Sequence, residues 1–282
     1  MKKSIISIPI LLVACVLTIF FGQRYAANQR EEMTEEQVET IQEEPVDGED
    51  EPAEEPVEPS ADLEDYEGRL DTLSHIDRID YLSLVNEEVS VAFFGDIDLN
   101  SEWMNSVTEA IESAATNGAD ILDYTEAGLD SYELYIRQTS QPLVAENPDM
   151  ILFGLPALPD KIRDIGLAET EQYMTSILNS FAALEVSELI LLEPYPVVQE
   201  IDQLNSRSLD YRSYLNRMRE LAQVRNLPVI SLHSEFTERA QESGLESYYN
   251  PDDFSLTAEG EQLAADIVTD QLNEPVSLPD GE

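Results

Sequence analysis

Carboxylates stand close together at two places in the sequence. Asp96 and Asp98 follow the apolar run 89–94, and Asp252 and Asp253 are adjacent near the C-terminus. Carboxylate oxygens are the ligands that Mg²⁺ and Ca²⁺ prefer, so the four would make a metal site if the fold brought them together. In so acidic a chain such neighbours also arise by chance, with Asp96 and Asp98 only capping a turn. We therefore predict no metal and no cofactor, and keep the four-carboxylate site as the alternative.

The chain has two histidines, and neither lies in a motif that predicts catalysis. His233 follows the apolar run 227–232, and we interpret it as a surface histidine whose hydrogen bonds are satisfied. His75 has no recognisable motif around it. Trp103 and Tyr195 could stack on a sugar ring, although aromatic residues at such positions usually serve packing.

Apolar runs alternate with helical periodicity through most of the chain. Short runs rich in β-branched and aromatic residues predict strands at 89–94, 120–122, 150–153, 188–192 and 227–232. Between them, helices are predicted at 105–115, 130–138, 169–184 and 208–222, with a last helix that Thr257 caps. This alternation predicts an α/β fold, a three-layer α/β/α sandwich with a parallel five-stranded sheet. In such sheets ligands bind beyond the carboxyl ends of the strands.

Three segments resemble blocks of the SGNH/GDSL hydrolase family. Residues 91–96 (VAFFGD) resemble the opening block, in which an apolar strand ends in Gly-Asp-Ser. Residues 147–154 (NPDMILFG) are similar to the third block, and residues 252–260 (DDFSLTAEG) have the frame of the last block, Asp-x-x-His followed by Gly. The resemblance spans about 89–272 and implies a flavodoxin-like sandwich with an esterase site at the strand ends.

The family resemblance also shows what the chain lacks. Ile97 stands where the family has its nucleophilic Ser, and Ser255 where it has the catalytic His. The third-block Asn, an oxyanion donor in the family, has no counterpart. Ester cleavage by this route needs the hydroxyl, the base and the oxyanion donors, so the resemblance implies a catalytically degenerate site without catalytic residues. The family-equivalent pocket positions are Asp96, Ile97, Gly128, Gly154, Asp252 and Ser255.

Residues 93–99 also resemble the Asp-x-Asp block of haloacid-dehalogenase-like phosphatases. There the first Asp is the nucleophile, the second a general acid, and Mg²⁺ holds the phosphate. Lys161, the only lysine after the N-terminus, precedes the fourth predicted strand, and this reading leaves the segment 257–260 unexplained.

The N-terminus predicts a membrane anchor. Lys2 and Lys3 precede the apolar run 4–22, whose ~19 residues nearly suffice to cross a hydrocarbon core of ~30 Å. Residues 1–28 are thus predicted to be one transmembrane helix with a cytoplasmic N-terminus. Residues 12–15 also resemble a lipobox that would lipidate Cys15, and a cleaved signal peptide is a third possibility. In each case the remaining chain is extracytoplasmic.

The formal net charge of -44 has two sources. Residues 29–65 are rich in Glu and Pro and contain one basic residue, Arg30, which predicts a disordered acidic linker between the anchor and a domain at 66–282. That domain itself carries roughly thirty more acidic than basic groups. Nucleic acid is therefore not an expected partner. Such acidity favours a halophilic or alkaliphilic source, because salt screens the repulsion.

Taken together, these features predict a single-pass protein of a Gram-positive cell membrane with an extracellular, SGNH-like domain. The expected function is binding at the cell envelope, to a glycan or a surface protein. The alternative is an active esterase or deacetylase on acetylated envelope glycans with a non-standard catalytic set. A purely structural spacer is a third class.

Overall fold

The computed structural model of the chain describes residues 63, 66, 68–182, 184 and 188–275. All of them fall in one compact unit, Glu58–Glu282. The predicted anchor 1–28 lies outside the described residues, and so does the predicted linker 29–65 except for Leu63. Within the described part, no helix is long and apolar enough to cross a membrane.

Five parallel strands form one sheet in the order β2–β1–β3–β4–β5. Each lies where an apolar run predicts a strand, which confirms the α/β class and the parallel five-stranded sheet. The strands are β1 (Val89–Gly95), β2 (Ala119–Thr125), β3 (Met150–Gly154), β4 (Glu188–Leu192) and β5 (Val229–Ile230).

Nine α-helices accompany these strands in the described part of the chain. They are α1 (His75–Asn86), α2 (Glu102–Ala114), α3 (Ser131–Ile136), α4 (Ser140–Glu146), α5 (Ala157–Ile162), α6 (Leu167–Phe181), α7 (Tyr211–Val224), α8 (Leu232–Arg239) and α9 (Ala258–Asn273). The predicted N-cap of α9 is confirmed, because Thr257 Oγ1 accepts the Gly260 N–H at 3.2 Å. Helices α1, α4, α5 and α8 add to the predicted set.

The sheet lies between two apolar cores. Val91 and Phe93 of β1 face one core, which includes residues of α1, α2, α8 and α9. Ala92 and Phe94 face the other, which includes residues of α3, α4, α6 and α7. Because helices cover both faces, the central strand reads as a continuous apolar run rather than an alternating one.

The fifth strand is shorter than the run 227–232 predicts. It contains only Val229 and Ile230, and Leu232 is already the first residue of α8. Pro228 before it has no N–H to give to a ladder. A short apolar run fits a buried helix as well as a strand, so periodicity could not place this boundary. As a consequence, His233 lies on a helix.

Strands β1 and β3 end side by side, which sets the position of the functional site. Gly95 is paired with Gly154 in the parallel register. Gly95 has a φ of +89°, and a Cβ at this residue would lie 2.6 Å from the Gly154 carbonyl oxygen. Only glycine fits such a conformation and such a contact. The turns that follow both strands therefore start from the same point of the sheet edge.

Candidate functional site

A cleft of about 550 Å³ opens at the carboxyl ends of β1, β3 and β4. This volume is in the range of small-molecule binding sites, and the position is the one where parallel α/β sheets bind ligands. Of the six family-equivalent positions, Asp96, Ile97, Gly128, Gly154 and Ser255 line the cleft, whereas Asp252 is not part of the lining.

Asp96 holds two strand-following turns together at the floor of the cleft. Its N–H donates to the Gly154 carbonyl at 3.1 Å, and its Oδ1 accepts the Gly128 N–H at 2.7 Å. Burial raises the pKa of Asp96 to about 6; the Gly128 hydrogen bond opposes this, and the charge of Asp160 adds to it. Gly128 N–H is thus already engaged, so it is not free to stabilise an oxyanion.

Ile97 occupies the position that the family resemblance assigns to the nucleophile. Its side chain is 5% exposed and belongs to the apolar core. It packs so closely on β3 that a Cβ at Gly154 would lie 2.3 Å from Ile97 Cγ1. The position holds a hydrocarbon plug rather than an exposed hydroxyl.

Of the polar residues Asp252, Asp253 and Ser255, only Ser255 lines the cleft. Ser255 is exposed at the rim, and both its Oγ and its N–H donate to Asp253 Oδ1, at 2.7 and 3.0 Å. These bonds lower the pKa of Asp253. Asp252 is exposed and, like Asp253, outside the cleft. The four carboxylates considered for a metal therefore do not converge, and no group of three potential ligands occurs among the described residues.

Glu261 is a cleft residue that the sequence did not single out. It lies in the first turns of α9, and its Oε2 accepts the Trp103 N–H at the start of α2, at 2.9 Å. Burial raises the pKa of Glu261, the Trp103 hydrogen bond opposes this, and the charges of Glu102 and Asp98 add to it. The contact joins residues 158 positions apart, so no local pattern could reveal it.

Two aromatic side chains form one wall of the cleft. Trp103 and Tyr195 pack edge to face, with ring centroids 6.3 Å apart and planes at 90°. Burial raises the pKa of Tyr195, and the charges of Glu261, Asp96 and Asp98 raise it further. Both rings pack on the core, and both also border the cavity, so the packing role and the stacking role are compatible.

Neither histidine lies in the cleft. The prediction of a surface position for His233 is wrong: the residue is 8% exposed, and its Nε2 lies 2.7 Å from the Tyr211 hydroxyl oxygen. Burial, with the nearby charges of Arg219 and Arg212, lowers the pKa of His233 to about 4. His75 is also buried, with Nδ1 3.1 Å from Glu188 Oε1. The chain therefore brings no imidazole base to the cleft.

Solved structures of known proteins have a fold similar to that of the described domain. A putative GDSL-like lipase from Parabacteroides merdae covers 65% of this chain and 95% of its own, at 16% identity and a TM-score of 0.54. A catalytic mutant of Axe2, an acetylxylan esterase from Geobacillus stearothermophilus, covers 66% and 94%, at 15% identity and a TM-score of 0.55. The domain has an SGNH/GDSL hydrolase-like fold. No protein-family model and no curated protein matches the sequence.

Among the residues that line the cleft, Ser101 is the hydroxyl-bearing residue closest in sequence to Ile97. Its hydroxyl donates to the Asp98 carbonyl at 2.7 Å.

Lys161 is the lysine that a phosphatase of the haloacid-dehalogenase type would need. It is buried, pairs with Glu200 and is not part of the cleft lining. Among the described residues, the cleft therefore has no lysine that could hold a phosphate, as the phosphatase alternative requires.

Proposed function

We propose that the chain is a membrane-anchored, extracytoplasmic SGNH/GDSL hydrolase-like protein that binds a glycan of the cell envelope and no longer cleaves esters by the Ser–His route. The observation that carries this proposal is the buried Ile97 side chain seated on Gly154. A cleft whose nucleophile position is filled with hydrocarbon keeps its shape but lacks the group that attacks.

The rest of the cleft supports the same conclusion. Ser255 takes the place of the base and is bonded to Asp253, and Gly128 N–H is bonded to Asp96. Nucleophilic ester hydrolysis needs an activated hydroxyl, a base and free oxyanion donors. None of these three requirements is met by the residues that occupy the family's positions.

A sugar is the ligand class that we favour. The Trp103 and Tyr195 rings border a cavity of sugar-binding size, and aromatic rings are suited to packing against the apolar faces of sugar rings. Among the similar structures are esterases whose names refer to acetylated xylan, a polysaccharide. In our proposal the anchor 1–28 and the linker 29–65 hold the cleft outside the membrane, facing such polymers.

Full-length protein in detergent micelles, shown to be folded, provides the test of lost catalysis. We expect no release of acetate from acetylated xylan or from small acetate esters above the uncatalysed rate, at low and at high salt. Turnover that disappears in a folded Asp96→Asn variant would contradict the proposal. Location is tested separately: external protease should remove the domain from intact cells.

A second candidate is an esterase with a non-standard catalytic set. Ser101 and Asp96 both line the cleft, and the raised pKa of Asp96 would suit a general base near neutral pH. Under this alternative, Ser101→Ala abolishes acetate release. Ser106→Ala, which removes an exposed hydroxyl from α2, the helix that begins directly after Ser101, serves as the matched control.

A further inference from the structure

We infer that the ligand carries a protonated amino group, as a de-N-acetylated amino sugar does, held against Trp103 and Tyr195 by the carboxylates of Asp96, Asp98 and Glu261. The inference rests on the proposed glycan-binding function and names the chemical class of its ligand.

The acidic residues that line the cleft fall into two groups. Asp130 pairs with Arg163 at 2.8 Å, and Glu193 forms a two-pronged pair with Arg219. Asp96, Asp98 and Glu261 have no ion-pair partner in the part of the chain that the structure describes. Each of these three accepts one backbone N–H instead, from Gly128, Asn100 and Trp103 respectively. Three negative charges are therefore left without a counter-charge.

These three carboxylates line the same cleft as the Trp103 and Tyr195 rings. Glu261 Oε2 accepts the Trp103 backbone N–H at 2.9 Å, and the Trp103 and Tyr195 rings pack edge to face. Burial raises the pKa of Tyr195, and the charges of the three carboxylates raise it further, in agreement with this placement. An ammonium group in the cleft would donate charge-assisted hydrogen bonds to the carboxylates and would be attracted by the rings.

The same arrangement disfavours other ligand classes. Arg163 is the only basic residue in the lining, and it is already bonded to Asp130 and placed over the Tyr132 ring at 4.8 Å. A phosphate or a uronic acid would therefore meet three carboxylates without a free cation, and like charges repel strongly in a partly desolvated site. A fully N-acetylated sugar would fit the rings but leave the carboxylates unpaired.

Trp103 is the only tryptophan of the chain, so fluorescence excited at the red edge of the absorption band, where tyrosine does not absorb, reports on this cleft alone. Full-length protein in detergent micelles is titrated with the trimer of glucosamine and with the trimer of N-acetylglucosamine, in 0.5 M NaCl to suppress non-specific attraction. We expect a saturable signal for the amino trimer and at least tenfold weaker binding of the acetylated one. Trilysine, an amine without a sugar ring, is expected to bind at least tenfold more weakly than the amino trimer.

Variants locate the effect. Glu261→Gln retains an oxygen that can accept the Trp103 N–H, and Asp98→Asn retains the acceptor for Asn100, so the fold should persist. Each is expected to weaken binding of the amino trimer about five- to tenfold without changing the affinity for the acetylated trimer. Glu259→Gln, an exposed residue in the same first turn of α9, is the matched control and should change nothing.

The outcomes separate this inference from the proposed function. Equal affinity for both trimers would overturn the amino-group inference and leave glycan binding in place. Trilysine binding as tightly as the amino trimer would overturn the assignment to a sugar. If folded protein bound neither trimer, glycan binding itself would be refuted.

Discussion

The fold surrounds two fully buried acids, Asp160 and Glu193, differently from Asp96 at the cleft floor. Asp160 is fully buried and accepts three hydrogen bonds, from the Ser131 N–H and Oγ and from Thr170 Oγ1, at 2.6–2.8 Å. Glu193 is equally buried and is held by Arg219. Asp96, at the cleft floor, has a single N–H partner in the described part of the chain, Gly128.

The comparison teaches that a shifted pKa alone does not mark a functional residue. Burial raises the pKa of both Asp96 and Asp160 to about 6. The two differ in what faces their oxygens: hydroxyls and an N–H surround Asp160, whereas Asp96 borders an open cavity. A buried acid whose two oxygens both accept hydrogen bonds supports the fold, whereas one that also borders a cavity is available to a ligand.

The largest loss of stability is expected when the buried Glu193 carboxylate loses its ion-pair partner, Arg219. Arg219→Ala would leave the Glu193 carboxylate buried and uncompensated, and we expect the free energy of unfolding to fall by about 3 kcal/mol. Urea denaturation at pH 7.5 measures it. Arg217→Ala, on the same helix, removes exposed pairs with Glu171 and Glu220 and should cost about 0.5 kcal/mol. Equal losses in the two variants would erase the distinction between buried and exposed pairs.

Substitution of Ile97 should give the next largest loss of stability. Ile97→Ser removes most of a buried side chain next to Gly154, and the resulting cavity should lower the free energy of unfolding by about 2–3 kcal/mol. No esterase activity by the Ser–His route should appear, because neither histidine lies in the cleft to take the proton of the new hydroxyl. Ile97→Val is the graded control, with an expected loss of about 1 kcal/mol. Acetate release by Ile97→Ser would show that the base has been misidentified.

Removing the charge of Asp96 should raise the free energy of unfolding rather than lower it. Because the pKa of Asp96 in the folded protein is about 6, above its ordinary value of 3.8, the folded state holds this proton more tightly. Its stabilising contribution is present below about pH 4 and is lost as the pH rises through about 6. Asp96→Asn, which can still accept the Gly128 N–H, should therefore raise stability at pH 7.5 by about 1 kcal/mol, a figure reduced for the partial exposure of the residue.

Thermal unfolding of this variant and of the unchanged protein at pH 4 and pH 7.5 tests the sign. At pH 4 the two melting temperatures should nearly coincide. A variant that is less stable than the unchanged protein at pH 7.5 would place Asp96 among the supported acids and remove the contrast with Asp160.

The smallest effect concerns the charge of the whole domain. Raising NaCl from 0.1 to 1 M shortens the Debye length from ~10 to ~3 Å, so the melting temperature should rise by a few degrees. The same salt increase at pH 4, where many of the carboxylates are protonated, serves as the control and should raise the melting temperature less. An unchanged melting temperature in salt would mean that repulsion among the acidic side chains costs little stability even at 0.1 M NaCl. It would remove support for a saline habitat.

The sequence predicted the sheet better than the cleft chemistry, for physical reasons. Strands β1 and β3 are buried on both faces, so their apolar runs are unmistakable. The turn with Asp96 follows directly from the end of β1. Glu261 reaches the cleft only because α9 packs on α2, and His233 is buried only because α8 begins at Leu232. Both depend on tertiary contacts that no local spacing encodes.

The close packing of Ile97 on Gly154 also limits which substitutions the cleft can accept during evolution. A single change that restored a hydroxyl at position 97 would open a void against β3 while Ser255 still provided no base. A first substitution toward Ser–His ester hydrolysis would thus lower stability without giving turnover. Under the proposed function, the packing of Ile97 on Gly154 therefore makes changes in ligand binding more accessible to selection than a gain of ester hydrolysis.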